Sequence, residues 1–211
     1  MVKRIKKITK GRVTRERKKV IVVGTEGLNK TEILYFKELE KKQDQYHCIF
    51  AKGNETDPIK IVRNTAKRAR EEELSYREGD MAVSIFDLDV DEAKYAQLKA
   101  ARESARNKNV KIIASNPCFE IWYLEHFGFS TKPFISSSEA VKELRKKIPG
   151  YTKNSCDFEI LYPSTEEAIS NCEKLDQYHA GNNNAADESA NPRTDVYKLV
   201  RVLIGGGGDK R

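Results

Sequence analysis

No apolar run in this 211-residue chain approaches the length that spans a bilayer. The basic N-terminal residues have no apolar stretch behind them, which argues against a secretory signal. The four cysteines, Cys48, Cys118, Cys156 and Cys172, show no C-x-x-C spacing. They are expected to be reduced thiols of a cytoplasmic protein, and zinc is not expected. A G-x-x-x-x-G-K-[ST] phosphate loop is missing, which speaks against ATP hydrolysis by this chain. Internal repeats are missing too. What remains is a length suited to one α/β domain with room for a small addition.

The formal charge of +7 is unevenly placed. Residues 1–19 hold ten Lys or Arg against Glu16 alone, a local +9 that leaves −2 for the rest. The chain is thus a near-neutral body with a basic arm. Such an arm, including Arg15, Arg17, Lys18 and Lys19, suits sequence-independent contact with nucleic-acid phosphates; the alternative is a solvated tail.

Hydrophobic periodicity organises the body around Val20–Val23, a β-branched run followed by Gly24-Thr-Glu26-Gly27. Lys30 to Lys42 then reads as a helix. A strand is predicted at 46–51 and a charged helix at 59–75, with Thr56 or Asp57 as its cap and Pro58 in its first turn. Further strands are predicted at 81–86 and 110–114, with a helix over 91–107 between them. This alternation predicts a parallel sheet of βαβ units. Beyond it the pattern turns helical, at 117–126, 138–147, 163–179 and 193–204. Residues 180–191 are too polar to bury, and residues 205–211 read as a flexible tail. The expected division is an arm (1–19), an α/β core (20–127), a helical C-terminal part (128–204) and the tail.

Candidate chemistry lies where strands end, because ligands of open α/β sheets gather at the carboxyl edge. Glu26 follows the first strand and can be a ligand, an acid or base, or a loop decoration. Asp87 and Asp89 close the third strand, and period-two geometry puts both on one side if the backbone stays extended. Two such carboxylates repel unless a cation lies between them, and hard oxygen donors suit Mg²⁺ or Mn²⁺. After the fourth strand, Ser115 or Asn116 is expected to cap a helix with Pro117 in its first turn. Glu120 would then sit near the positive end of that helix, as a further ligand, a general base or a plain helix-start residue. Glu32 can stabilise its own helix start or support the site from behind, as can Asn116. Lys30 can contact a phosphate or remain solvated. Phe119, Trp122, Tyr123 and Phe127 read as core, and His126 as structural.

These residues carry a resemblance. Glu26-Gly-x3-Thr31-Glu32-x2-Tyr35-Phe36, Phe86-Asp87-x-Asp89, Ser115-Asn116-Pro117-x-Phe119-Glu120-x-Trp122 and Asn191-Pro192-x-Thr194 together resemble RloB-like proteins. The Glu26 and Asp87-x-Asp89 marks resemble the two motifs of the Toprim domain. Thr25 departs from the pattern, standing where Cys is expected. The resemblance implies a Toprim-like core. It also implies a metal-dependent nuclease of prokaryotic antiviral defence that acts beside an ABC- or SMC-like ATPase. Glu26, Asp87, Asp89 and Glu120 would be its catalytic and metal-holding residues. Related proteins act on RNA, including tRNA, or on DNA, and RNA is placed slightly ahead. The rival expectation is a non-catalytic nucleic-acid-binding or regulatory subunit of an ATPase complex, with the acidic cluster as a relic or structural ion site.

Overall fold

Short β-branched runs alternating with charged helices produce a sheet covered on both faces. The computed structural model describes residues 17–26, 30–53, 55–153, 155, 157–182 and 189–205, with Lys30 described for its backbone alone. In chain order these form β1 (Lys19–Gly24), α1 (Lys30–Lys41), β2 (Tyr46–Phe50), α2 (Pro58–Glu71), β3 (Met81–Asp87), α3 (Glu92–Arg106) and β4 (Lys111–Asn116). There follow α4 (Glu120–Glu125), α5 (Ser137–Lys147), α6 (Phe158–Leu161), α7 (Thr165–Gly181), β5 (Arg193–Thr194) and α8 (Val196–Gly205). The sheet order is β2-β1-β3-β4-β5. The first four strands are parallel and β5 runs antiparallel to β4.

Alternate residues of each strand feed different cores, as the period of two requires. Ile21, Val23, Val83, Ile85 and Ile113 point into a large core with α1 and the C-terminal helices, through Tyr35, Trp122, Leu144, Ile169 and Leu199. Ala82, Phe86 and Ala114 point the other way, onto Ile61, Val62, Leu98 and Ala101 of α2 and α3. The C-terminal helices therefore share one core with the sheet. Among the described residues no helix is long and apolar enough to cross a membrane.

Caps set the helix starts that face the site. Asp57 accepts from the Lys60 N–H with Pro58 behind it, and Asp91 accepts from the Ala93 N–H at the start of α3. At the end of β1, a Cβ on Gly24 would lie 2.0 Å from Thr65 Oγ1. Only glycine lets β1 approach α2 this closely, and Thr65 in turn bonds Ser84 of β3 at 2.9 Å.

Four expectations are corrected. β4 continues through Ser115 and Asn116, so neither caps a helix and Pro117 does not open one; α4 begins at Glu120. The reason is β5: Ser115 and Asn116 pair with Thr194 and Arg193, which extends the strand. For the same reason residues 193–194 are strand, and the last helix begins only at Val196. Thr194 does serve its start, accepting from the Val196 N–H. The extended backbone of β3 ends at Asp87, because Asp89 and Val90 take left-handed conformations (φ 52° and 57°).

The fourth correction concerns the arm. Arg17 makes a two-pronged ion pair with buried Asp80, at 3.0 and 2.6 Å. Lys18 lies 3.6 Å from Asp44, and Lys19 belongs to β1 with its ammonium over the Tyr46 ring. These three are part of the body, at the start of β1. The carboxyl edge lies roughly 20 Å away along a six-residue strand. Arg15, the rest of the arm, most of the polar stretch (183–188) and residues 206–211 lie outside the described residues.

Candidate functional site: a carboxylate cluster at the sheet edge

The parallel order brings the ends of β1, β3 and β4 together, and with them every carboxylate singled out from the sequence. Glu26 follows β1, Asp87 ends β3, Asp89 sits in the turn after it, and Glu120 opens α4 beyond β4. Glu32, in the first turn of α1, is buried against them. The turn carrying Asp89 is stitched to the neighbouring chain. The Leu88 N–H donates to Ser115 O at 2.9 Å, and the Asp89 N–H to Pro117 O at 2.8 Å, next to a cis Asn116–Pro117 peptide. Asn116 completes the clamp. Its Oδ1 accepts from the Val90 N–H, while its Nδ2 donates to Tyr95 Oη at 3.1 Å and to Ala190 O at 3.1 Å. Asn116 thus shapes the site from behind, although not as the helix cap expected of it.

The carboxylates fall into two groups. The outer one is compensated. Lys94, from the first turn of α3, reaches Asp89 Oδ2 at 2.7 Å, the two Glu26 oxygens at 3.2 and 3.4 Å, and Asp87 O at 2.9 Å. Ser137 Oγ, at the start of α5, also donates to Asp89. Burial alone would raise the Asp89 carboxyl, but the hydrogen bonds from Lys94 and Ser137 outweigh it and hold it below the usual range. Glu26 is pushed up by burial, with Lys94 pulling against that rise.

The inner group is not. Asp87, 7 % exposed, accepts from the Phe119 N–H at 2.9 Å. Glu120, 1 % exposed, accepts from Tyr151 Oη at 2.9 Å through Oε1, and Lys153 Nζ lies 3.8 Å away. Glu120 Oε2 is buried and meets no hydrogen-bond partner among the described residues. Burial, followed by the charges of Glu32 and Glu120, drives Asp87 well above the carboxylate range. Burial also takes Glu32 up to about 7, with Glu120 adding to the rise. Lys153 stands against these charges, and Thr31 Oγ1 holds its carbonyl.

Five carboxylates therefore face two ammonium groups. Among the described residues no three metal-ligating side chains already converge as a cage, and Lys94 stands between Glu26 and Asp89. The donor set nevertheless fits a hard divalent cation. All its atoms are carboxylate oxygens, negative charge is in excess, and Glu120 offers an unused buried oxygen. An added divalent cation would offset the neighbouring charges that, after burial, raise Asp87.

Lys94, Tyr151, Ser137 and Lys153 are absent from the sequence expectations. Lys94 had a signal: a lysine in the first turn of a helix works against the helix dipole, which favours acids there. Tyr151 and Lys153 had none, because a loop after α5 brings them in. Lys30 opens α1, but its side chain lies outside the described residues. His126 is structural, as expected: Nδ1 bonds Trp122 O at 2.8 Å, and burial lowers the ring to about 4.

The family model described as RloB-like protein matches residues 21–203, from within β1 to within α8, and includes every carboxylate of the cluster. No curated protein and no solved structure matches the chain. On a match of that extent, the chain belongs to the RloB-like protein family.

Proposed function

We propose that the protein is a Toprim-type, divalent-metal-dependent nuclease that hydrolyses phosphodiester bonds of nucleic acid. RNA such as tRNA is placed slightly ahead of DNA, the setting is prokaryotic antiviral defence, and an ABC- or SMC-like ATPase is the expected partner. The observation that carries this reading is the convergence of Glu26, Asp87, Asp89 and Glu120 at one sheet edge, with Glu120 Oε2 buried and unused. The Toprim type, the defence role and the ATPase rest on the resemblance of the motifs.

Asp87, Glu120, Glu26 and Asp89 are the residues that would hold Mg²⁺ or Mn²⁺. When bound, such an ion activates water and neutralises charge on the scissile phosphate. The chain supplies the remainder. Lys153, half-exposed at the rim, offers a positive contact for a phosphate oxygen. A Glu32 carboxylate oxygen, with its pKa near 7, can take a proton at neutral pH. Tyr151 fixes Glu120 through Oε1 and leaves Oε2 without a hydrogen-bond partner among the described residues.

The test is incubation of purified protein with total RNA and with plasmid DNA, in Mn²⁺ and in EDTA, for wild type and Asp87→Asn. Cleavage confined to wild type with Mn²⁺ is the expected result. Cleavage that survives EDTA or the substitution would place the chemistry elsewhere. One observation favours the rival, a non-catalytic binding or regulatory subunit: Lys94 already makes ion pairs with both Glu26 and Asp89 without a metal ion. Nucleic-acid binding without metal-dependent products would select that reading.

A further inference from the structure

The metal reading leaves one residue unexplained, and it lies where a cation is required. Lys94 Nζ sits between Glu26 and Asp89, within 2.7–3.4 Å of three of their oxygens, and 2.9 Å from Asp87 O. An ammonium group has three donors, and these contacts use them all. Nothing in the packing of α3 demands such an inward lysine, because that helix is anchored by Leu98, Ala101 and Ala105 on its apolar side. Among the described residues, the ammonium's hydrogen bonds go to the site.

A Mg²⁺ ion takes oxygens at about 2.0–2.1 Å. An ion bridging Glu26 and Asp89 would occupy the space that Nζ fills, and two cations there would repel each other. The lysine has a way out. Its side chain is part-exposed, and a flexible four-carbon stem lets the ammonium swing toward solvent while Asp91 keeps the start of α3 in place.

Resting on the metal-site reading, we propose that Lys94 is a resident counter-ion that leaves the Glu26–Asp89 pair when a divalent ion enters. It keeps the outer carboxylates assembled in the metal-free protein and sets the ion concentration at which the site loads. An ion that must displace a bound competitor binds with an affinity reduced by the fraction of sites the competitor leaves open. The inner group is more open to the ion: Lys153 Nζ stands 3.8 Å from Glu120 Oε1, and Glu120 Oε2 is buried with no hydrogen-bond partner among the described residues, so the ion is received there first. Loading then proceeds from the inside outward, and the released ammonium is left at the rim, where a phosphate can receive it.

The experiment titrates Mn²⁺ into wild type, Lys94→Met and Asp87→Asn, reading both heat of binding and melting temperature. Methionine keeps an apolar stem of similar length and removes the charge. The expected result is about tenfold tighter Mn²⁺ binding by Lys94→Met. Its metal-free melting temperature should be lower and its rise with Mn²⁺ larger than in wild type. Unchanged or weaker binding by Lys94→Met, with wild type binding normally, overturns the exchange and leaves the metal site standing. Absence of Mn²⁺ binding in both wild type and Lys94→Met overturns the metal site and the exchange with it. A second measurement needs no variant: acylation of Lys94 in wild type, followed by peptide mass spectrometry with and without Mn²⁺. Faster labelling of Lys94 with the ion supports release of the ammonium, and labelling that stays constant or slows overturns it.

Discussion

Two aspartates bracket β3, Asp80 just before it and Asp87 at its end, and both are buried. Their surroundings are opposites. Asp80 accepts two hydrogen bonds from the Arg17 guanidinium, one from the Val20 N–H at 2.8 Å and one from the Ser75 N–H at 2.9 Å. Charge and hydrogen bonding are both satisfied, so the group acts as a rivet joining the first described residues, β1 and the turn before β3. Asp87 accepts one backbone N–H and faces the carboxylates of Glu26, Glu32 and Glu120. Burial is common to both, and compensation is what differs. A buried carboxylate with all its partners holds a fold together, whereas one surrounded by its own charge marks a place reserved for something else.

The strongest way to break the comparison is Asp80→Ala. The half-exposed Arg17 can turn to water, but the part-buried Val20 and Ser75 N–H groups would lose their shared acceptor. A loss of about 2–4 kcal/mol is expected in urea unfolding. A loss below half a kcal/mol would show that Asp80 is no rivet. Asp87→Asn should do the reverse. Asparagine keeps the acceptor for the Phe119 N–H and removes a repelling charge, so the metal-free protein should be as stable as wild type or more so at pH 8. The rise in melting temperature with Mn²⁺ should vanish, and cleavage should fall about 100-fold or more. If Asp87→Asn keeps full metal-dependent stabilisation, the two aspartates are alike after all.

Glu125 sharpens the contrast, since burial alone acts on it. It is 3 % exposed, with a carboxyl pushed up to about 8 and no charged neighbour responsible. A folded-state pKa above the unfolded value means stability present at low pH and lost as pH rises from about 4.5 through 8. His126 beside it, lowered to about 4, shifts the other way, with its stability lost as pH falls below about 6.5. Between pH 6.5 and 8 only Glu125 changes of the two. There wild type should lose stability relative to Glu125→Gln, with a slope approaching 1.4 kcal/mol per pH unit. Parallel stability curves for the two proteins over that range would contradict the assignment.

The smallest effect belongs to the arm. Deletion of residues 1–16 leaves the Arg17–Asp80 rivet intact and removes most of the N-terminal charge. Binding to nucleic acid should weaken, with a flatter dependence of log K on log salt. An unchanged salt slope would make the arm a tail and throw the electrostatic contact onto the body, with Lys153 at the site as the first residue to substitute.

Much of this molecule was legible because its signals are local. The apolar runs at 20–23, 81–86 and 110–114 became buried parallel strands, and the alternation with helices ordered them into one sheet. Strand ends followed, and so did the positions of Glu26, Asp87 and Glu120, since in parallel sheets the ends of successive strands share an edge. The errors lie where a distant segment overrode the local pattern. Ser115-Asn116-Pro117 has the composition of a helix cap, yet pairing with Arg193–Thr194, nearly eighty residues later, makes Ser115 and Asn116 strand. Asp89 has the spacing of an inward strand residue, but a turn clamped by Asn116 reverses the chain there.

Residue type and strand order by themselves determined which carboxylates would meet. The tertiary structure alone decided how their charge would be balanced. Lys94 enters from the following helix, Lys153 and Tyr151 from a loop after α5, and Arg17 leaves the arm to close on Asp80 at the far edge. A cation finds its carboxylate through space, at a distance that no spacing along the chain encodes. Coulomb energy at a few ångströms in a poorly solvated site is large enough to settle which pairs persist.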